Sequence, residues 1–155
     1  MASQKLQVER ALSVIPSDTI GIPEVSTRVS TGTTTATTAN KLVDSAALFI
    51  TGQKVSIGDI IYNTTDSTIA TVEAIDSETT LSVSANIMAT TEGYSIYHKE
   101  TNGGVLYVGA TGDLHVLTAG NDEITYKSVA VGFFPVNIKK VYATGTSATE
   151  IIANW

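Results

Sequence analysis

The chain has 155 residues, no cysteine, only 15% charged residues and a net charge of -6. That length allows one ordinary domain or two small ones. The composition excludes disulfides, thiolate chemistry and cysteine-bound metals. The nine Lys and Arg residues are dispersed except at Lys139-Lys140, which argues against nucleic acid as a partner, because phosphate neutralisation needs clustered cations.

The first fifteen residues, MASQKLQVERALSVI, are the only segment rich in helix formers, and they fit a short helix or an extended arm. No basic start with a following apolar run marks a signal peptide. Nor does any stretch reach the roughly 20 apolar residues of a membrane span. Synthesis in the cytoplasm without general export is expected, and no membrane partner. Pro16 ends the segment, and PSDTIGIPEV (16–25) reads as an irregular connector. Residues 30–40, STGTTTATTAN, are of low complexity. They fit a linker, or a strand or ordered loop, since the branched threonine favours extended backbone.

From 41 to 98 the pattern is that of short strands. Asp59–Asn63 and Ile69–Ile75 flank the loop TTDST. In the second, Ala70, Val72 and Ala74 form a small-residue core face. TLSVS (80–84) alternates outright, with Leu81 and Val83 inward, and YSIYH (94–98) closes the module. About five such strands predict a small barrel, SH3-like or OB-like.

KETNG (99–103) is a break. Five further strands follow: Val105–Val108, Asp113–Thr118, Glu123–Val129, Pro135–Ala143 and Thr149–Trp155. AGND joins the second and third as a hairpin. In the fourth, Val136, Ile138 and Lys140 alternate with Asn137, Lys139 and Val141, a mixed pattern that predicts an edge strand or one facing a partner subunit.

Chemistry is hard to find. His98 and His115 are the only histidines, without a HExxH or Asp/His cluster, so each is expected to be an ordinary strand residue. Asp59, Asp66 and Asp76 are expected at strand ends or turns, where carboxylates bond nearby backbone amides, and no DxDxDG-type calcium loop exists. Ser17-Asp18-Thr19 lacks a GxSxG elbow and reads as a turn. GGVLYVG and GATGD lack the lysine and the following helix of a phosphate loop, so Gly103-Gly104 and Gly109 are expected in tight turns. Tyr107, Tyr126, Phe133, Phe134, Tyr142 and Trp155 suit core or interface packing better than a sugar platform. The sequence nominates no catalytic, cofactor-binding or metal residue, and a non-enzymatic chain is expected.

Two segments carry a resemblance: SDTIGIP (17–23), and LYVGATGDLHVLTAGNDEITY (106–126) with FPVNIKKVYATGTSATEIIANW (134–155). They resemble the spike base protein family of tailed phages and gene transfer agents, whose pattern opens on SDTxDIP and closes on an ATGTTAT-type ending. Gly21 stands where that pattern has Asp, and Asn154-Trp155 where it usually has Leu-Trp or a similar apolar pair. The intervening NKLVDSAALFITGQKVSIGDIIYNTTDSTIATVEAIDSETTLSVS resembles a different module of phage structural proteins.

The expected fold is all-β, with a small β-barrel inserted into a β-sandwich or barrel-like domain behind a short N-terminal arm. Residues 1–25 form the arm and first segment, 26–98 the inserted barrel and 99–155 the C-terminal β domain. The resemblance implies a virion protein on the outer capsid surface. It would be a spike base or decoration (cement) protein that binds the major capsid protein and its own copies, and carries a spike or fibre. The alternatives are a portal, neck or tail component, or a carbohydrate-binding module for host attachment.

Overall fold

A computed structural model describes residues 8–155. The fold is all-β, and no α-helix occurs among the described residues. The chain divides into two units: residues 1–25 with 102–155, and residues 26–101. The second unit is therefore an insertion, and it ends three residues beyond the boundary expected after residue 98.

A 3-10 turn, Val25–Thr27, leads into the inserted unit. Its sheet contains β2 (Arg28–Thr33), β3 (Lys41–Val43), β4 (Ile60–Asn63), β5 (Thr68–Ser77), β6 (Thr80–Val83) and β7 (Gly93–Tyr97), in the order β2-β7-β4-β5-β6-β3. The threonine-rich stretch is ordered backbone. Thr34 N still bonds Glu92 O (2.9 Å) on the β7 side, but Thr35 N bonds Val43 O (2.8 Å) and Ala36 bridges Val43. The line of β2 thus passes from β7 to β3, and the sheet curls back on itself as a small barrel. Leu42, Phe49, Ile61, Ala70, Val72, Leu81, Val83, Tyr94 and Ile96 fill it. Leu81 and Val83 point inward as their alternation requires, and so do Ala70 and Val72. Register shifts between Val72 and Ala74 and between Ile75 and Ser77 then interrupt the period-2 pattern of β5, and Ile75 packs against the core.

The other unit comprises β1 (Ala11–Ser13), β8 (Gly104–Ala110), β9 (Gly112–Thr118), β10 (Glu123–Val129), β11 (Gly132–Val141) and β12 (Thr149–Asn154), in the order β1-β12-β8-β11-β9-β10. Its core contains Ile22, Leu106, Val108, Leu114, Val116, Ile138, Val141, Ile151 and Ala153. Of the two N-terminal readings, the extended arm agrees with the fold and the short helix does not occur among the described residues. Residues 1–7 lie outside the described residues, and Ala11–Ser13 is a strand paired antiparallel to β12. Glu9 N and Arg10 N both reach Trp155 O, and Trp155 N returns to Arg10 O (3.0 Å).

The edge-strand reading of 135–143 also fails. β11 lies inside the sheet, paired to β8 by its first part and to β9 by its second. Its mixed pattern has a local cause. Phe134, Val136 and Ile138 face inward until a register shift between Ile138 and Lys140, after which Val141 is the buried residue. One extra residue reverses which parity is inside.

Gly104 and Gly109 are strand residues of β8, not turn residues. At Gly109 a Cβ would stand 2.6 Å from Glu150 Cβ and 2.9 Å from Glu150 O, because Glu150, in the left-handed region at φ 54°, lies directly opposite it on β12. Gly103, at φ 85°, does need glycine's freedom.

Candidate interaction surface

The described residues contain no group of three or more His, Asp or Glu side chains able to hold a metal ion. Among the described residues the fold builds a set of polar clamps and, at β10, a long open strand edge.

The first clamp joins residues 17–22 to the far end of the chain. Ser17 N bonds Val141 O (2.9 Å) and Ile22 N bonds Lys139 O (2.7 Å), so the segment runs beside β11 and buries Ile22. Ser17 Oγ accepts from the Thr19 and Ile20 amides, which is the expected turn. Asp18, between them, does more. Its carboxylate takes Thr144 N at 2.9 Å and Thr144 Oγ1 at 2.8 Å, across 126 residues. The Thr144 amide and hydroxyl hold the Asp18 carboxyl below its ordinary range.

Thr144 also leads into the surroundings of His115. The ring stacks on Tyr142 with centroids 4.3 Å apart and planes at 21°. Nδ1 lies 2.8 Å from Thr144 O, and Nε2 lies 3.0 Å from Glu123 Oε1. Both ring nitrogens thus face acceptors. Tyr142 OH donates to Glu123 Oε2 (3.2 Å), and Lys140 Nζ sits 4.3 Å from the tyrosine ring centroid. Desolvation, then the Glu123 carboxylate, push the Tyr142 hydroxyl upward. His115 is a strand residue whose ring is locked, as a structural histidine would be.

On the same face of the sheet, Asp113 binds Lys127 Nζ (2.7 Å) and Ser128 N (3.0 Å). These two bonds, the lysine first, keep its carboxyl below the usual value. They also hold the irregularity after Tyr126, where Ser128 adopts φ 51°.

These clamps surround β10, the last strand of its sheet. Every residue from Glu123 to Val129 is exposed or half-exposed. Ile124 (44%), Val131 (54%) and Phe133 (58%) are its neighbourhood's large exposed apolar side chains. Phe133 meets Tyr107 edge-on at 5.5 Å, and Phe134 meets Tyr126 edge-on at 4.7 Å. Trp155 packs against the core of the unit.

The inserted unit holds the remaining residues named from sequence. Asp59 closes a turn: its carboxylate accepts Ser56 N at 2.8 Å and its own amide bonds Ser56 O. It also lies 3.3 Å from His98 Nδ1, in a cleft of about 340 Å³ lined by Thr27, Ser56, Lys99 and Glu100 as well. The Asp59 side chain is buried and the His98 ring is 45% exposed. Asp66 stands at the β4–β5 turn, where buried Asn63 Oδ1 accepts its amide (3.0 Å). A shared hydrogen bond with Glu92 raises the Asp66 carboxyl, while the Ala89 amide, foremost, keeps Glu92 low. Asp76 is at a strand end, as expected, but its carboxylate meets side chains and not a nearby backbone amide. It lies within β5 and pairs with Lys41 Nζ at 2.8 Å, which lowers its carboxyl.

Sequence reasoning missed the Asp18–Thr144 clamp and the Asp113–Lys127 pair. It also missed a buried bond from Tyr94 OH to Asp44 Oδ2 (2.7 Å) in the inserted barrel. Each joins residues on different elements, so no local spacing announces it.

No protein-family model matches the chain, and no curated protein and no solved structure matches it either.

Proposed function

We propose that this chain is a virion structural protein of the outer capsid surface, a spike base or decoration protein that binds the major capsid protein and its own copies. The observation that carries this reading is the Asp18–Thr144 clamp. It lies within SDTIGIP at one end and ATGTSAT at the other, the two segments in which the resemblance resides. Both ends of the clamp fall in one unit while a separate barrel is inserted between them in sequence, so the resembling segments belong to one folding unit. Apolar side chains exposed beside a free strand edge give such a unit a surface to bury against neighbours.

The carbohydrate-binding alternative needs aromatic rings lying coplanar and exposed. The Tyr107–Phe133 and Tyr126–Phe134 pairs instead cross at 73° and 74°, and Tyr142 is covered by His115. The test is binding of purified protein to emptied capsid shells, followed by counting copies per shell. Saturable binding at many copies per shell is expected. A dozen copies or fewer, confined to one vertex, would move the protein to the neck or tail, and no binding to shells would overturn the reading.

A further inference from the structure

The free edge of β10 has a pattern that fits a second copy of itself. Thr118 N bonds Asp122 O (2.9 Å) at the β9–β10 turn, and Glu123 to Tyr126 then pair in strict register with Leu117 to Leu114. Antiparallel ladders alternate in direction, so residues 124 and 126 bond inward to β9. Residues 123 and 125 turn their amides and carbonyls to the open side, and Lys127 follows them at the start of the bulge. The same parity is visible across β9, where His115 O bonds Tyr142 N on the β11 side (2.9 Å).

We propose that β10 is a self-association edge, pairing antiparallel with β10 of a second copy about a two-fold axis at Thr125. That register places Glu123 opposite Lys127 of the second copy, Ile124 opposite Tyr126, and Thr125 opposite itself. Opposite charges then meet at both ends, and the exposed Ile124 gains an aromatic neighbour. On the sheet face, Glu123 already leans on His115 and Lys127 on Asp113. Pairing therefore links the two ends into an alternating row: Asp113, Lys127, the second copy's Glu123 and its His115. An isologous contact of this kind closes on itself, and covers the edge that would otherwise template open-ended association. No competing register serves as well: a shift by two residues sets Glu123 opposite Thr125 or beyond Lys127 and loses both charge pairs.

This inference deepens the self-association within the proposed function and does not depend on capsid binding. The chain has no cysteine, so a single introduced thiol reports on one position. In such a hydrogen-bonded pair the two Thr125 Cα atoms would lie about 5.5 Å apart, within disulfide reach. Oxidised Thr125→Cys should run as a covalent dimer, and Thr51→Cys, exposed on the inserted unit, should not. By analytical ultracentrifugation, Lys127→Glu and Glu123→Lys should each weaken self-association at least about tenfold. Mixing these two variants should restore it, because one then supplies two glutamates and the other two lysines.

Circular dichroism shows whether each variant is folded, and the cysteine variant stands independently of the charge variants. A dimer that survives both charge changes, no crosslink at Thr125 above the Thr51 control, or a monomer at all concentrations would each overturn the pairing. Shell binding measured on the Lys127→Glu variant separates this failure from failure of the capsid reading.

Discussion

Tyr94→Phe is the sharpest test of how the inserted barrel is held. The Tyr94 side chain is 1% exposed and Asp44 is 6% exposed, and the hydroxyl donates to Asp44 Oδ2 at 2.7 Å. Burial, with the neighbouring Asp44, raises the tyrosine hydroxyl well above its ordinary value, so it remains a donor throughout the working pH range. Removing the hydroxyl leaves a buried carboxylate oxygen without that partner. A hydrogen bond to a charged group contributes about 1.5–3 kcal/mol, and an unsatisfied buried acceptor costs a similar amount. A loss of about 2–3 kcal/mol is therefore expected, roughly 10–20 °C in Tm for a unit of this size if it melts alone. Urea denaturation followed by tyrosine fluorescence and circular dichroism measures it.

Gly32, directly across from Tyr94 on β2, supplies the control. A Cβ there would stand 2.6 Å from Asp44 Oδ2 and 2.7 Å from the Tyr94 hydroxyl. Gly32→Ala should thus destabilise the wild-type barrel, although the same change at an open strand position would stabilise by about 0.4–1 kcal/mol. In the Tyr94→Phe background its cost should fall by at least about 0.5 kcal/mol, since one of the colliding atoms is gone. A Tyr94→Phe loss below about 0.5 kcal/mol, or full additivity of the two changes, would refute this account.

Gly109→Ala should cost about 1–3 kcal/mol, the range for overpacking, because its Cβ would meet Glu150 Cβ and the Glu150 carbonyl oxygen as well as the end of that side chain, and the first two cannot swing away; a melting temperature equal to wild type would remove the argument. Acid should loosen the β9–β10 hairpin. The Asp113 carboxyl is lowered in the fold, so its contribution is complete above its unfolded value of 3.8 and disappears as pH falls below that toward the folded value. Protection of the Ser128 amide, taken as the intrinsic over the observed exchange rate, should fall on going from pH 6 to pH 3, and in Asp113→Asn it should be low at both; a Ser128 amide equally protected in the variant would count against the clamp.

The strands were legible where alternation was clean. TLSVS announces Leu81 and Val83 as core, and IATVEAI announces Ala70 and Val72, because a pleated strand sends successive side chains to opposite faces. The candidate surface was less legible. β10 reads from sequence only as one more strand, EITYKSV, and nothing in its composition says that its outer edge stays open. The clamps were illegible for the same reason: Asp18 looks like a turn residue, and its partner Thr144 is one threonine among many.

By itself, then, the sequence determined that the chain is all-β, cysteine-free and poor in charge, and it determined which side of each regular strand faces a core. These follow from local backbone preference and a two-residue period. Tertiary structure alone decided that β11 lies inside its sheet, that Gly109 yields space to Glu150, and that Asp18 grips Thr144. Strand neighbours are chosen by contacts between residues far apart in the chain. A single bulge, at the step from Ile138 to Lys140, reverses inside and outside for every residue that follows, and local pattern carries no record of it.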